Sequence, residues 1–354
     1  MPRLILISFL CLSLTPALAR AQEPSGRFSG ELEVSEVLFD VVVTDKKGNI
    51  VTGLTADDFE IRAEGKSLAP TSLAFYTTQY LNDDPDQIPA SRYFIFFFHD
   101  QRQAAAPGNG LLQQQIRASK QSRDWVESDM GPSDWIAVTS YDVKLKIHQD
   151  FTQDKTQILQ AIEEATHGGD PERGRPMRRS DADHTEASLL RRLPTGIDLR
   201  DETKNIYHGL TLLAEASRHV VGRKNLLLFT IGFGEIRREA IALPDRRYYP
   251  GLEEALNANN VAVYPIDLTP RNAEHLQSHF LTTLADDTGG AYNQFFTNFL
   301  TPLRQVGKES SGYYLLGYRD EHRAGQKGYR EVEIKTRNKK LIVRAPQGYR
   351  YGAG

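Results

Sequence analysis

The apolar positions of this chain change rhythm twice. Between residues 30 and 80 they fall in short β-type runs. Val34 to Val43 is rich in β-branched residues and stops at Asp45-Lys46-Lys47-Gly48-Asn49, a polar turn with glycine where φ > 0 is easiest. Val51, Leu54, Phe59 and Ile61 continue the apolar positions, Glu64-Gly65-Lys66 makes a second turn, and Leu73, Phe75 and Tyr76 predict a further strand. Asn82 to Pro89, with its aspartates and prolines, reads as a linker.

From Tyr93 onward short apolar runs alternate with helical periods, the pattern of an α/β fold. Tyr93 to Phe98 is a continuous bulky run that ends in His99-Asp100. Such a run predicts a strand buried on both faces, and ligands of these folds collect at the carboxyl ends of the strands. A helix is expected near 109–128. Trp135 to Tyr141 and Val143 to His148 are separated by so little chain that they must pair antiparallel. A helix follows at Asp154 to Ala165, with Asp154 as N-cap. Next come a helix over Thr203 to Val220, a strand over Asn225 to Thr230, a helix over Gly251 to Asn259 and a strand over Val261 to Ile266. A helix near 273–286 closes on Asp287-Thr288-Gly289-Gly290, a short edge strand covers Ala291 to Gln294, and a last helix covers Phe296 to Lys308.

After Gly312 the chain returns to β character, with strands at Tyr313 to Tyr318, Tyr329 to Thr336 and Leu341 to Arg344. Three strands cannot bury a core alone, and the N-terminal segment has the same problem. The economical solution is one small β-sandwich made from both ends (30–80 and 312–350), with an α/β domain (91–310) inserted between them.

Composition adds a destination. Arg3, the apolar stretch Leu4 to Leu14 and the small residues Pro16 to Ala21 predict a signal peptide over residues 1–21. Cys11 is the only cysteine and leaves with it, so the mature chain offers no disulfide and no thiol chemistry. Export to the periplasm or beyond the cell follows, and no later segment is long enough to predict membrane insertion. A net charge of −3 over 354 residues gives no case for nucleic acid.

Several phrases resemble the VWFA-related family of von Willebrand factor type A proteins, described mainly from acidobacterial genomes. They are Phe39-Asp40-Val41-Val42-Val43-Thr44-Asp45, Gly53-Leu54-Thr55-Ala56-Asp57-Asp58-Phe59, Asp150-Phe151-Thr152, Gly222-Arg223-Lys224 and Tyr314-Leu315-Leu316-Gly317-Tyr318. The resemblance runs from about Leu32 to Tyr349. It implies a type A (Rossmann-like) mostly parallel sheet with helices on both faces and one antiparallel edge strand. It also implies a place for a divalent metal, the metal-ion-dependent adhesion site (MIDAS), built from hard oxygens on three loops, an arrangement that suits Mg²⁺.

In the first of those loops the family pattern is Asp-x-Ser-x-Ser; here Asp100 matches, while Arg102 and Ala104 stand at the serine positions. The second loop supplies a threonine, for which Thr203 is the candidate. The third supplies an aspartate, where this chain has Ile231 after Thr230. The site is therefore expected to be vestigial, with Asp100 and Thr203 as its remnants and no cofactor unless a partner completes it.

Arginines enter all three loops: Arg102, then Arg173, Arg175, Arg178, Arg179, Arg191 and Arg192, then Arg237, Arg238, Arg246 and Arg247. One reading is a guanidinium cluster that takes an acidic partner in place of the metal, since arginine binds carboxylates bidentately. The plainer reading is solvated loop charge, balanced by Glu172, Asp181, Asp183, Glu235, Glu239 and Asp245.

Other chemistry is thinner. His275 and His279 lie four apart on the expected helix, but Leu276 stands where a zinc protease has its glutamate. Gly232-Phe233-Gly234 lacks the third glycine of a dinucleotide loop, and Asn82, Asp83, Asp84 and Asp86 lack calcium-loop spacing. No nucleophile elbow or phosphate loop occurs. The expectation is an exported, non-enzymatic interaction or adhesion-like module that binds a protein, acidic in the cluster reading, through Asp100, Arg102, Arg178, Arg179, Arg237 and Arg238. The alternatives are an exported hydrolase using loops 167–202 and 232–250, and an envelope subunit held through a sandwich edge.

Overall fold

The structure is a computed structural model that describes residues 32–78, 87–101, 110–168, 187–236, 241–294, 297–323 and 325–352. The expected signal peptide, most of the 82–89 linker, and Arg102, Arg173, Arg175, Arg178, Arg179, Arg237 and Arg238 lie outside these residues.

The strands are β1 (Leu32–Thr44), β2 (Phe59–Ala63), β3 (Lys66–Leu68), β4 (Ser72–Thr77), β5 (Gln87–Pro89), β6 (Arg92–His99), β7 (Asp134–Tyr141), β8 (Leu145–Thr152), β9 (Lys224–Thr230), β10 (Glu235–Ile236), β11 (Ala242–Leu243), β12 (Val261–Asp267), β13 (Gly312–Arg323), β14 (Gly328–Thr336), β15 (Ile342–Arg344) and β16 (Gly348–Tyr351). The α-helices are α1 (Leu111–Ser128), α2 (Lys155–Thr166), α3 (Gly196–Glu202), α4 (Ile206–Ala216), α5 (Tyr249–Ala258), α6 (Ser278–Asp287) and α7 (Leu300–Glu309).

The central sheet has the order β12-β9-β6-β7-β8. All its pairings are parallel except β7 with β8, whose turn spans Asp142 to Lys144. This is the type A arrangement. The run at β6 shows why it needs a covered sheet. Successive side chains alternate faces. Ile95 and Phe97 enter one core with Leu210, Leu252 and Phe280, while Phe94, Phe96 and Phe98 enter the other with Trp125, Ile162 and Leu303. A fully buried side chain of this size contributes about 1.5–3 kcal/mol.

The two ends of the chain form two further sheets, β15-β1-β13-β4-β5 and β16-β14-β2-β3. β1 pairs antiparallel with β13 from Leu32↔Arg323 to Val41↔Tyr314. The inward positions Phe39, Val41, Ile61, Tyr314, Leu316, Tyr318 and Val332 make a single core. Tyr314 is buried but not apolar at its tip: its hydroxyl donates to Val51 O (2.9 Å) and accepts from Leu54 N (3.1 Å). That ties the loop after β1 to the C-terminal half of the sandwich.

Several expected elements are corrected. The helix expected from Thr203 begins only at Ile206. A separate short helix, α3, precedes it, and Asn205 is the N-cap, accepting from His208 N. α6 starts at Ser278, so His275 is in the preceding turn and shares no helical face with His279. The expected edge strand at 291–294 is one bridge, Ile266 with Asn293. Gln87 to Pro89, within the expected linker, pairs parallel with β4. β16 was not expected; its short Gly-Tyr-Arg-Tyr sequence has no run to betray it, and it is fixed by pairing with β14.

Candidate functional site at the carboxyl end of the sheet

β6 and β9 end side by side, and Asp100 follows β6 as the sequence predicts. Its N–H donates to Tyr141 O (2.7 Å), which fixes the backbone at this end of β7, and the residue is half-buried. What surrounds it is a neutral hydrogen-bond brace. Gln101 accepts at Oε1 from Ile231 N (2.9 Å) and from the Thr230 hydroxyl (3.0 Å), and donates from Nε2 to Gly232 O (2.7 Å). The same hydroxyl accepts from Gly232 N (2.9 Å) and meets His99 Nδ1 at 3.0 Å. With its one proton given to Gln101, Thr230 accepts from His99, which assigns the ring proton to Nδ1.

His99 is buried between Tyr141 and Phe233, each edge-on at 5.9 Å. Burial pushes its pKa down to about 3, against a smaller opposing pull from Asp100. It is a neutral support and supplies no charge for acid–base chemistry near neutrality.

The adjacent turn is closed in a similar way. Gln277 accepts from Gly234 N (2.8 Å) and donates to Gly234 O (3.1 Å). Gly232 has φ +98, and a Cβ there would lie 2.3 Å from Gln277 Cβ, so both conformation and space require glycine. The Gly-Phe-Gly phrase thus serves a turn. Phe233 between its glycines packs on Tyr207 and Phe280.

Thr203, the second-loop candidate, is fully buried. Its hydroxyl donates to Leu199 O (2.6 Å) and accepts from Leu145 N (3.1 Å), and its carbonyl accepts from Tyr141 OH (3.0 Å). These bonds close α3 and seat the start of β8. Ile231, at the position of the third-loop aspartate, carries no ligating atom in its side chain. No group of three or more His, Asp or Glu among the described residues is arranged to hold a metal ion.

Of the loop arginines that are described, Arg191, Arg192 and Arg246 are exposed. Arg247 is committed to Asp245, at 3.0 Å from Nε and 2.7 Å from Nη2. Apolar groups share this end. Val143 in the β7–β8 turn, Ile197 on α3, and Ile236 and Ile241 in the β10–β11 segment are 67%, 72%, 53% and 47% exposed. Each sits in a connection beyond the carboxyl edge of the sheet.

Sequence reading also missed a buried group at the end of β12. Asp267 Oδ2 accepts from Tyr292 OH (2.7 Å) and pairs with His275 Nδ1 (2.8 Å), and its Oδ1 accepts from Thr269 N (2.8 Å). Burial and the Asp267 charge push the Tyr292 phenol up. The signal was available: Asp267 ends a strand as Asp100 follows one. Gln101 gave no such signal, because an amide carries no charge and no ligand spacing.

A wide depression of about 1850 Å³ lies elsewhere, between the sandwich and α5 and α6. Burial and then Asp287 push the Glu253 carboxyl there up to about 7, while Tyr249 OH holds Asp287 at 2.6 Å.

No protein-family model matches the chain, and no curated protein sequence does. Among solved structures, the conserved hypothetical protein BatB from Bacteroides thetaiotaomicron overlaps 62% of this chain and 99% of its own, at 11% identity and TM-score 0.37. VWA2, the ArnB paralog from Sulfolobus acidocaldarius, overlaps 90% of this chain and 75% of its own, at 11% identity and TM-score 0.36. Proximal thread matrix protein 1 from the mussel byssus, with a zinc-occupied MIDAS motif, overlaps 63% of this chain and 48% of its own, at 14% identity and TM-score 0.33. The type A assignment itself rests on the order and direction of the strands. No helix among the described residues is long and apolar enough to cross a membrane.

Proposed function

We propose that this is an exported, non-enzymatic protein-interaction module of the VWFA-related family, which binds its partner through the carboxyl end of the type A sheet without a bound metal. The observation that carries this reading is that Val143, Ile197, Ile236 and Ile241 are exposed in the connections at this end, where the ends of β6 and β9 are braced by neutral groups. Exposed apolar groups gathered on one end favour a protein contact, and a prebuilt brace spares the loops the cost of ordering on binding. The arginines of the same loops, Arg102, Arg178, Arg179, Arg237 and Arg238, supply the charge that selects a partner with acidic residues at the rim.

The test is photo-crosslinking in cells that produce the full chain. A photoreactive residue at Ile197 or Ile241 should give one discrete protein adduct, and the same residue at exposed Ile342 on the sandwich should not. Ile197→Asp should remove the adduct made from Ile241. Identical adduct patterns at all three positions would sink the proposal. The N-terminal sequence of the exported protein checks the expected cleavage near residue 21.

A further inference from the structure

The sandwich meets the type A domain along a second seam, where β14 and the chain around β16 lie against α5 and α6. Gln347 donates to Asp287 O from its backbone N–H and to Asp286 O from Nε2, both at 3.1 Å. Arg350 Nε donates to Glu254 Oε1 (2.7 Å). Tyr329 OH accepts from Asn257 Nδ2 (2.8 Å) and donates to Glu253 Oε1 (3.3 Å). The depression of about 1850 Å³ opens on this seam, and Glu253, Asp286, Asp287 and Glu331 all line it.

These acids lack counter-charge. Cations on the same wall are engaged elsewhere: Arg62 with Glu60, Arg330 with Glu64 and Asp320, Lys335 with Glu333, and Arg344 with Glu309. No ion pair among the described residues reaches Glu253, Asp286, Asp287 or Glu331. Arg337 and Lys339 also line the depression, but the charges that act most strongly on Glu253 are those of Asp287, Glu331 and Glu254. Carboxyls gathered in this way cannot all ionise without cost. Tyr249 OH donates to Asp287 Oδ2 (2.6 Å), which favours the charged form of that group. Glu253 is left to hold the proton, and burial followed by the Asp287 charge pushes it up to about 7. Burial pushes Asp286 and Asp287 up as well, against a pull from Arg344 on Asp286.

We infer that this seam is an acid-closed latch: a proton on Glu253 keeps the sandwich seated on α5 and α6, and loss of that proton loosens the contact. Once ionised, Glu253 faces Asp287 and Asp286 from α6 and Glu331 from β14, while its neighbour Glu254 is already neutralised by Arg350 of β16. An opened seam returns Glu253 to its ordinary value of 4.5, whereas the closed seam holds the proton up to about 7. The open form therefore gains on the closed one as pH rises between those values, and the gain levels off above 7. Below 4.5 the latch is fully closed. Glu253 is half-buried, so solvent screening moderates the effect. This seam is separate from the carboxyl end of the parallel sheet and does not depend on the function proposed there.

Amide hydrogen exchange of the purified protein, read as protection factors at pH 5 and pH 7, tests the latch. Protection of α5 and β14 should fall on the order of tenfold more than protection of β6 over that interval. The comparison with β6 removes any change in global stability. Glu253→Gln should abolish the excess, because the neutral amide cannot ionise. Glu331→Lys, at an exposed position, sets a cation before ionised Glu253 and should reduce the excess to about threefold. If Glu253→Gln fails to fold, the lysine variant still decides. No excess at α5 and β14, an excess of the opposite sign, one that survives Glu253→Gln, or one that Glu331→Lys leaves unchanged would overturn the inference.

Discussion

The two ends of the central strands β6 and β9 differ in the kind of polar group buried there. At the carboxyl end, where a type A domain holds its metal, loops one and three are joined by an amide, a hydroxyl and a neutral imidazole. At the amino end, where the sheet meets the sandwich, the buried groups are charged. Arg223 donates to Asp40 O (3.3 Å), to Tyr264 OH (3.3 Å) and to Gly289 O, and Lys224 donates to Val220 O (2.9 Å). Arg92 grips Asp134 with two bonds of 2.6 Å. Along β6 and β9, charge is concentrated at the structural joint and absent from the hydrogen-bond brace at the candidate binding end. The sequence phrases around Asp40 and Arg223 therefore lie at the joint between the sheet and the sandwich.

The largest expected effect tests the joint. Arg223→Ala removes the donor to the buried Asp40 and Gly289 carbonyls and one of the two cations that act on the Asp40 carboxyl, and should cost about 3–5 kcal/mol in urea unfolding. A loss below about 1 kcal/mol would mean that the joint is not held by charge, and the contrast between the ends would disappear.

The next effect is a pH dependence. Burial pushes the Asp40 carboxyl up from 3.8 to about 6, against Arg223 and Lys224, which pull it down. Between those values the folded state binds more protons than the unfolded chain, so the stability from Asp40 is present at about pH 4 and lost as pH rises through 6. Asp40→Asn should flatten that slope, read as urea midpoints from pH 4 to 7. A slope of the opposite sign in the parent protein, removed by the same change, would show that pairing with the cations outweighs burial. Burial pushes Lys224 down to about 8, so its share of stability grows as pH rises above that value.

A smaller effect is expected at the carboxyl end. Gln101→Ala removes the bonds to Ile231 N and Gly232 O and should cost about 1–2 kcal/mol, with faster amide exchange confined to 230–234. A global change in exchange would show that the brace supports the whole sheet. The smallest effect should come from metal. Mg²⁺, Mn²⁺ or Ca²⁺ at millimolar concentration should leave the melting temperature unchanged and release no binding heat. Binding that Asp100→Ala abolishes would restore a metal-dependent end and reverse the comparison.

Much of the fold was legible in the chain, and the reason is local. The unbroken apolar run at Tyr93 to Phe98 can be buried only between two layers of helices. The short gap after Tyr141 permits only an antiparallel partner. Asp154 capped its helix as its position implied, accepting from Thr156 N (2.8 Å) and Gln157 N (3.4 Å). Neither end could bury its strands alone, which brought Leu32 to Val41 against Tyr314 to Arg323. These outcomes depend on periodicity and on loop length, which a sequence carries directly.

Tertiary structure alone decided the polar groups. Thr203 resembles a metal ligand by its neighbours, yet packing sends its hydroxyl to Leu199 O and to Leu145 N, the latter 58 positions away. Thr230 meets Gln101 across 129 positions, and Arg223 meets the Asp40 carbonyl across 183. A neutral hydrogen bond needs only one donor and one acceptor brought together, so nothing in composition or spacing announces it. Its partners are set by which strands the two apolar cores draw side by side.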